Sequence, residues 1–143
     1  MERKNFYVTV RSYIENLDDF GLTESTESDV TTEPCELRFA DGGATVIYSV
    51  SSEGATAETE LTVNDGGVRL VRRGAIDSLM EFSEGEVTKT VYCVPPYSFD
   101  AEIDTKKIRG SLGECGGTVE LLYYLTIGGA KKKMRLSLTV SPR

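Results

Sequence analysis

The most distinctive stretch of the sequence is Val68-Arg-Leu-Val-Arg-Arg-Gly-Ala75, followed by Ser78-Leu-Met-Glu-Phe82. The first run places three arginines in a strand-like alternation, and the second is a short apolar run of strand length. Gly74 ends the first run, and glycine adopts the positive φ of a tight turn more easily than any other residue. The stretch therefore predicts two strands joined by a turn, and a third follows at Val87–Val94.

Glycine-rich turns divide the rest of the chain in the same way. Glycine pairs separate alternating runs at residues 42–43, 66–67, 116–117 and 128–129. Because short turns join antiparallel neighbours, such runs form an up-and-down meander. About 8–10 strands with one apolar face each bury that face by closing on themselves. We therefore predict an all-β fold, an antiparallel up-and-down barrel, as a single domain over residues 1–143.

Charge is distributed unevenly along the chain. Residues 1–104 carry 8 bases and 21 acids, whereas residues 105–143 carry 8 bases and 2 acids. The preferred interpretation is that the two ends are neighbours, so that the cationic last strand closes the barrel against the first. A dedicated anion-binding tail is the alternative. The net charge of −7 argues against a nucleic-acid partner, because binding phosphates requires a basic surface.

The acidic segment 12–37 has a different character, since it contains eight acids and no base. We expect it to be a partly mobile connection, with one helical turn near residues 15–20. Strand character returns around residues 31–40. Pro34 lies in that run, and its missing N–H suits a sheet edge or a bulge.

The three cysteines, at positions 35, 93 and 115, form no Cys-x-x-Cys pair. Cys93 and Cys115 are interpreted as small buried apolar residues. No run approaches the roughly 18 apolar residues of a membrane span, and no apolar leader-like segment follows the first residues. These features predict a cytoplasmic protein without disulfides and without a membrane partner.

Histidine is absent, which removes the usual base of serine and cysteine nucleophiles and the commonest metal ligand. The acids Asp100, Glu102 and Asp104 are spaced by two on one strand, opposite Ala101 and Ile103, so we expect them to face solvent. The glycine pairs do not match a phosphate-binding loop, which requires GxxxxGK[ST]. We therefore predict no enzyme activity, no metal site and no cofactor.

The arginines near residue 72 are the strongest candidates for binding. Arg72 shares a strand face with Val68 and Leu70, whereas Arg73 lies on the opposite face. An arginine at the mouth of a barrel binds a carboxylate or phosphate through two parallel hydrogen bonds. Tyrosines there add aromatic contact surface and hydroxyl groups. The candidate ligand-binding residues are Arg72, Arg73, Tyr92, Tyr97 and Tyr123.

A purely structural role for Arg72 is the alternative, and arginines at strand ends are common enough to favour it. In that role Arg72 extends from the core to solvent, pairs with an acid such as Glu81, or braces the turn at Gly74.

The order of short motifs along the second half of the chain is distinctive: Arg72-Arg73-Gly74, Ser78-Leu-Met-Glu-Phe82, Tyr92, Pro96-Tyr97, Thr105-Lys-Lys-Ile108 and Gly116-Gly-Thr-Val-Glu-Leu-Leu-Tyr-Tyr124. Over residues 66–141 this order resembles the bacterial YwiB-like family, a domain of unknown function called DUF1934. The resemblance implies a calycin-like, lipocalin-type β-barrel in a bacterial cytoplasm, and no known activity. Ser98 stands where the family pattern has glycine, and the chain lacks the tryptophan of the true lipocalin signature.

Two hypotheses of function follow. The first is a non-enzymatic barrel that binds a small, partly apolar or anionic molecule in its interior or mouth. The second is a protein-interaction or homo-oligomeric assembly module without a small-molecule ligand, in which the acidic segment and the cationic last strand meet partners. Either hypothesis is compatible with a monomer or a homodimer.

Overall fold

The computed structural model describes residues 6–40, 42–52 and 54–142, and they form one continuous antiparallel sheet. Its ten strands are β1 (Phe6–Leu17), β2 (Thr23–Ala40), β3 (Gly43–Ser52), β4 (Ala55–Asn64), β5 (Gly67–Gly74), β6 (Asp77–Phe82), β7 (Val87–Val94), β8 (Tyr97–Gly113), β9 (Gly116–Ile127) and β10 (Ala130–Pro142). Each strand pairs with its neighbours in sequence, and β10 closes on β1. The predicted all-β up-and-down barrel is therefore confirmed. None of the described residues lies in a helix long and apolar enough to cross a membrane.

The two ends of the chain close the barrel. β1 and β10 pair along their whole length, with Val8 opposite Val140 and Glu15 opposite Lys133. The Lys133 ammonium lies 3.9 Å from the Glu15 carboxylate, so the cationic last strand does meet the acidic end of the first. The prediction that the oppositely charged ends are neighbours is confirmed.

The core fills the barrel with side chains from alternate positions of the strands. In β6, Ser78, Met80 and Phe82 are buried, whereas Leu79 and Glu81 point outward. The most deeply buried large residues come from strands all around the barrel: Phe82, Leu61, Leu70, Ile103 and Leu138. The two strands predicted from residues 68–82 are thus β5 and β6, and both contribute to this core.

The acidic segment 12–37 differs from its prediction, because it is not a connection. β1 continues to Leu17, and β2 already begins at Thr23, so no helical turn forms between residues 15 and 20. Residues 23–30 are exposed on both faces of the strand, so they lack the apolar alternation by which strands are recognised. Main-chain pairing with β1 holds them in place instead.

Polar side chains add to this pairing. The amide of Asn16 on β1 donates hydrogen bonds of 3.0 Å to Ser25 Oγ and to Glu27 Oε2 on β2. Further along, the hydroxyls of Thr9 and Thr32 share a hydrogen bond of 3.1 Å. Ladders of serine and threonine are compatible with strand structure without any buried face.

Five strands extend beyond the others and form what we call the outer strip, consisting of β2, β1, β10, β9 and β8. β2 pairs with β3 only from Cys35 onward, and β8 pairs with β7 only as far as Asp104. Among the described strands, residues 23–34 and 107–113 therefore pair on one side only. Pro34 is the last residue before β2 gains its second partner, which fits the predicted edge position.

A bulge and a glycine shape β8 within this strip. The register with β9 shifts between Thr105 and Lys107, and Gly110 follows with a φ of 95°. A Cβ atom at Gly110 would collide with the carbonyl oxygen of Thr118 on β9. Only glycine therefore allows β8 to bend here against its neighbour.

Gly110→Ala tests this constraint against Gly85→Ala, which is matched in backbone conformation. Gly85 has a φ of 81°, but a Cβ atom there meets nothing within 4 Å. We expect Gly85→Ala to lower the free energy of unfolding by about 1–2 kcal/mol, the cost of left-handed backbone. Gly110→Ala should cost roughly 3 kcal/mol or more, because backbone must also move. Urea denaturation measures both, and equal losses would contradict the packing constraint on β8.

Candidate functional site

A polar row lies inside the barrel near the end where β5 finishes, and we call it the Arg72 row. It is formed by directly opposed residues on five consecutive strands, β3 to β7: Tyr48, Thr59, Arg72, Ser78 and Tyr92. Arg72 belongs to it because strand alternation gives it the same face as the buried Val68 and Leu70. The sequence pattern that builds the core therefore also directs one arginine inward.

The opposite wall of the barrel supplies Tyr123 and Thr105, which are paired in register on β9 and β8. The rings of Tyr123 and Phe82 meet edge to face, with centroids 4.7 Å apart. Burial raises the pKa of Tyr123 to about 12, and the positive charge of Arg72 acts in the opposite direction. Burial likewise raises the pKa of Tyr48, again with Arg72 opposing it. Arg72 thus acts electrostatically on two tyrosines, Tyr48 and Tyr123, that stay protonated.

Two buried hydroxyls accompany the arginine. Ser78 is 7 % exposed and Thr105 is fully buried, and neither hydroxyl oxygen has a hydrogen-bond partner among the described residues. An unsatisfied buried polar group costs about 1–3 kcal/mol of stability. Ser78 stands directly beside Arg72 in the row. The barrel interior therefore holds hydrogen-bonding groups that its own side chains do not use.

Neither structural partner proposed for Arg72 is found. Glu81 lies opposite Arg69 on the outer face, and the N–H of Gly74 donates to Asp77 Oδ1 at 3.2 Å. Within residues 6–40, 42–52 and 54–142, Arg72 makes no hydrogen bond or ion pair, although its side chain is half-buried. Pairing with Glu81 and bracing the Gly74 turn are therefore not found, whereas the third structural role, a side chain that extends from the core to solvent, is compatible with the half-buried position of Arg72.

The other predicted ligand-binding residues divide between the interior and the surface. Tyr92 and Tyr123 lie inside with Arg72, and Tyr92 acts on the pKa of Tyr123. Arg73 is exposed on the outer face opposite Glu58, and Tyr97 is 65 % exposed at the start of β8. The structure therefore brings three of the five candidates together and leaves Arg73 and Tyr97 outside.

Four interior residues of the site were missed in the sequence: Tyr48, Thr59, Ser78 and Thr105. Tyr48 is signalled by its alternation with the apolar Val46 and Val50, which predicts an inward side chain. The hydroxyl residues give no comparable signal, because serine and threonine are as common outside a barrel as inside. Their positions follow only from the register of neighbouring strands.

The seam between β6 and β7 borders the site and is loosely paired. Only two residue pairs of the described chain join these strands in the ladder, Asp77 with Cys93 and Ser78 with Tyr92. Beyond them the hydroxyl of Thr90 donates to the Leu79 carbonyl at 2.5 Å, and Thr88 donates to the Glu81 carbonyl at 2.7 Å. Along the seam, threonine hydroxyls thus donate to β6 carbonyls where a regular ladder would use main-chain N–H groups.

The carboxylates and thiols elsewhere form no competing site. Asp100 and Glu102 are exposed, and Asp104 pairs with Lys106 at 3.0 Å, so the predicted solvated face is confirmed. No group of three or more His, Cys, Asp or Glu residues within the described ranges is placed to hold a metal ion.

None of the three cysteines, all of which lie among the described residues, forms a disulfide. The prediction that Cys115 is buried is wrong, because it lies exposed in the turn between β8 and β9, and Cys93 is only half-buried.

Comparison with known proteins places this barrel in a family. The model of the family "Domain of unknown function (DUF1934)" matches residues 18–138. The chain belongs to the DUF1934 family. The fold is also that of the ywiB protein from Bacillus subtilis, whose crystal structure superposes on this DUF1934 chain with a TM-score of 0.80. The two are 21 % identical, and the superposition covers 99 % of this chain and 93 % of the other. Among curated proteins no match was found.

Removing the two unpartnered hydroxyls should stabilise this DUF1934 barrel. The double variant Ser78→Ala/Thr105→Val removes their desolvation cost, so we expect the free energy of unfolding to rise by about 1–3 kcal/mol. The control Thr90→Val removes a hydroxyl that is hydrogen-bonded to Leu79 and should lower it by about 1 kcal/mol. Urea denaturation measures both changes. A double variant less stable than the parent would show that these hydroxyls have structural partners.

Proposed function

We propose that this DUF1934 protein binds a small anionic molecule with an apolar part at the Arg72 row inside the barrel. The observation that carries the proposal is the half-buried, inward Arg72 side chain, which lacks a carboxylate partner among the described residues. Buried charges in folded proteins are normally paired, and an anionic ligand would supply the missing partner.

The chemistry of the surrounding groups favours an anion. Arginine presents a planar fork that forms two parallel hydrogen bonds with a carboxylate or a phosphate. The hydroxyls of Ser78 and Thr105 are available as donors, and Tyr48 and Tyr123 remain protonated because burial raises the pKa of each. A site that contains one cation and several hydroxyl donors stabilises an anion, and none of these groups repels it.

The apolar part of the ligand would contact the core next to the row. Met80 follows Ser78 on the interior face of β6, and Leu70 precedes Arg72 on β5. Small-molecule sites in proteins combine such apolar walls with a few convergent polar groups. The side chains of the row include no nucleophile paired with a base, so the proposed role is binding without catalysis.

A cytoplasmic, bacterial setting is part of this proposal. The absence of a disulfide among the three cysteines of the described residues supports a reducing compartment, and the similarity to a Bacillus subtilis protein supports a bacterial source. The calycin-like or lipocalin-like character of the barrel supports ligand binding in the interior only by analogy of fold.

Thermal unfolding with matched probes tests the proposal. Octanoate and phenyl phosphate provide an anion with an apolar part, and octanamide provides a neutral isostere of octanoate. A ligand present at a hundred times its dissociation constant stabilises the native state by about 2.7 kcal/mol, so we expect at least one anionic probe to raise the melting temperature by several degrees. Octanamide should leave it unchanged.

Two arginine variants locate the effect. Arg72→Gln should abolish the stabilisation by the anionic probe, whereas Arg73→Gln, one residue away on the outer face, should retain it. Equal stabilisation of both variants would place binding elsewhere. No stabilisation of the unaltered protein by octanoate or phenyl phosphate would argue against an anion site that accepts apolar ligands.

A further inference from the structure

A groove of about 550 Å³ crosses the outer face of the outer strip, away from the barrel interior. It lies between two rows of outward side chains, each running across β2, β1, β10, β9 and β8 in register. The first row is Val30, Arg11, Ser137, Glu120 and Arg109, and the second is Ser28, Tyr13, Arg135, Leu122 and Lys107. Residues of the intervening row line its floor: Asp29, Ser12, Leu136 and Leu121.

The walls of this outer groove are cationic and partly apolar. Four of the ten outward side chains are basic, Arg11, Arg109, Arg135 and Lys107, and Glu120 is the one acid among those ten. Within residues 6–40, 42–52 and 54–142, none of the four bases forms an ion pair. Apolar contact surface comes from Val30, Tyr13 and Leu122. Such a surface complements a segment that is both acidic and apolar.

The tip of the β1–β2 hairpin, residues 18–22, is a segment of that kind. It contains two acids, Asp18 and Asp19, and its Phe20 and Leu22 are 89 % and 66 % exposed. Asp18 Oδ1 accepts hydrogen bonds of 2.9 Å from the N–H groups of both Phe20 and Leu22. Phe20 is thus a large aromatic side chain that is held on a well-formed turn and exposed to solvent. Such side chains are typical of residues that anchor protein interfaces.

The tip cannot reach the groove of its own chain. Tyr13, in the groove wall, and Asp18, at the tip, lie on the same hairpin, about 17 Å apart along the strand at 3.3 Å per residue. Its two strands are paired from Tyr13 opposite Ser28 to Leu17 opposite Thr23, with a register shift between Asn16 and Leu17. A second copy of the chain can meet both features at once, because a two-fold axis places each tip over the other groove.

We propose that two copies form a reciprocal dimer in which the hairpin tip of each, Asp18 to Leu22, docks in the outer groove of the other. Phe20 and Leu22 contact the apolar wall at Tyr13 and Leu122, and the tip carboxylates meet Arg11 and Arg135. Between tip and groove, Glu15 and Lys133 form an ion pair within each chain, so the faces near the axis carry balanced charge. This proposal is independent of the ligand site inside the barrel.

Sedimentation equilibrium on the full chain tests the dimer. The unaltered protein should be dimeric at low salt, and its dissociation constant should rise about tenfold or more near 1 M salt, where the Debye length is only about 3 Å. The groove variant Arg11→Glu/Arg135→Glu and the tip variant Asp19→Lys/Phe20→Ser should both be monomeric. The control Arg69→Glu/Arg73→Glu makes the same charge change on the outer face of β5 and should remain dimeric.

Mixing the two monomeric variants gives the decisive result, and it also shows that both are folded. The tip of the groove variant and the groove of the tip variant are intact, so an equal mixture should form a heterodimer that is weaker than the parent dimer. A monomeric parent protein, or a parent dimer that the groove variant leaves intact, overturns the proposal. Binding of a labelled single-stranded oligonucleotide that requires Arg11 and Arg135 and leaves the parent monomeric also overturns it, and identifies a polyanion site instead.

Discussion

Main-chain pairing between β1 and β10 is the interaction on which the rest of the structure depends. Once these strands close the sheet, each strand has an inside and an outside, and alternation decides which side chains go where. Arg72 is directed inward for the same reason as Leu70, two residues before it, and Arg73 is directed outward. A charged residue therefore occupies the interior as a consequence of the register that also builds the apolar core.

The barrel interior combines a stabilising and a destabilising part. Large buried side chains such as Phe82, Leu61 and Ile103 remove apolar surface from water, at roughly 25 cal/mol per Å². The Arg72 row opposes this, because a half-buried cation and buried hydroxyls without protein partners lower stability. Groups that cost stability in a fold held together by an ample core are typical of binding sites. The surface of the outer strip also carries groups that the chain itself does not use. They are the arginines of the groove, which form no ion pair among the described residues, and the exposed Phe20 of the hairpin tip, and they favour contact with a partner.

Much of the fold could be predicted from the sequence, because strand alternation and turns are local. Residues 68–82 indicated β5 and β6, and the charge of the two ends indicated which strands meet. Residues 23–30 could not be recognised as strand, because both of their faces are exposed and only pairing with β1 reveals them. Three residues of the candidate site could be predicted from the sequence: its one charged member, Arg72, and the tyrosines Tyr92 and Tyr123. Ser78 and Thr105 join it through register between strands distant in sequence, which no local pattern encodes.

The anion site that we propose lies in the interior of this barrel, at Arg72. Anomalous diffraction from crystals of the protein soaked in sodium bromide tests it most directly, since bromide reports where the molecule binds negative charge. We expect a bromide ion inside the barrel, within hydrogen-bonding distance of the Arg72 guanidinium and the Ser78 hydroxyl. Bromide found only at outward arginines such as Arg73, with the Arg72 side chain turned to solvent, would contradict it.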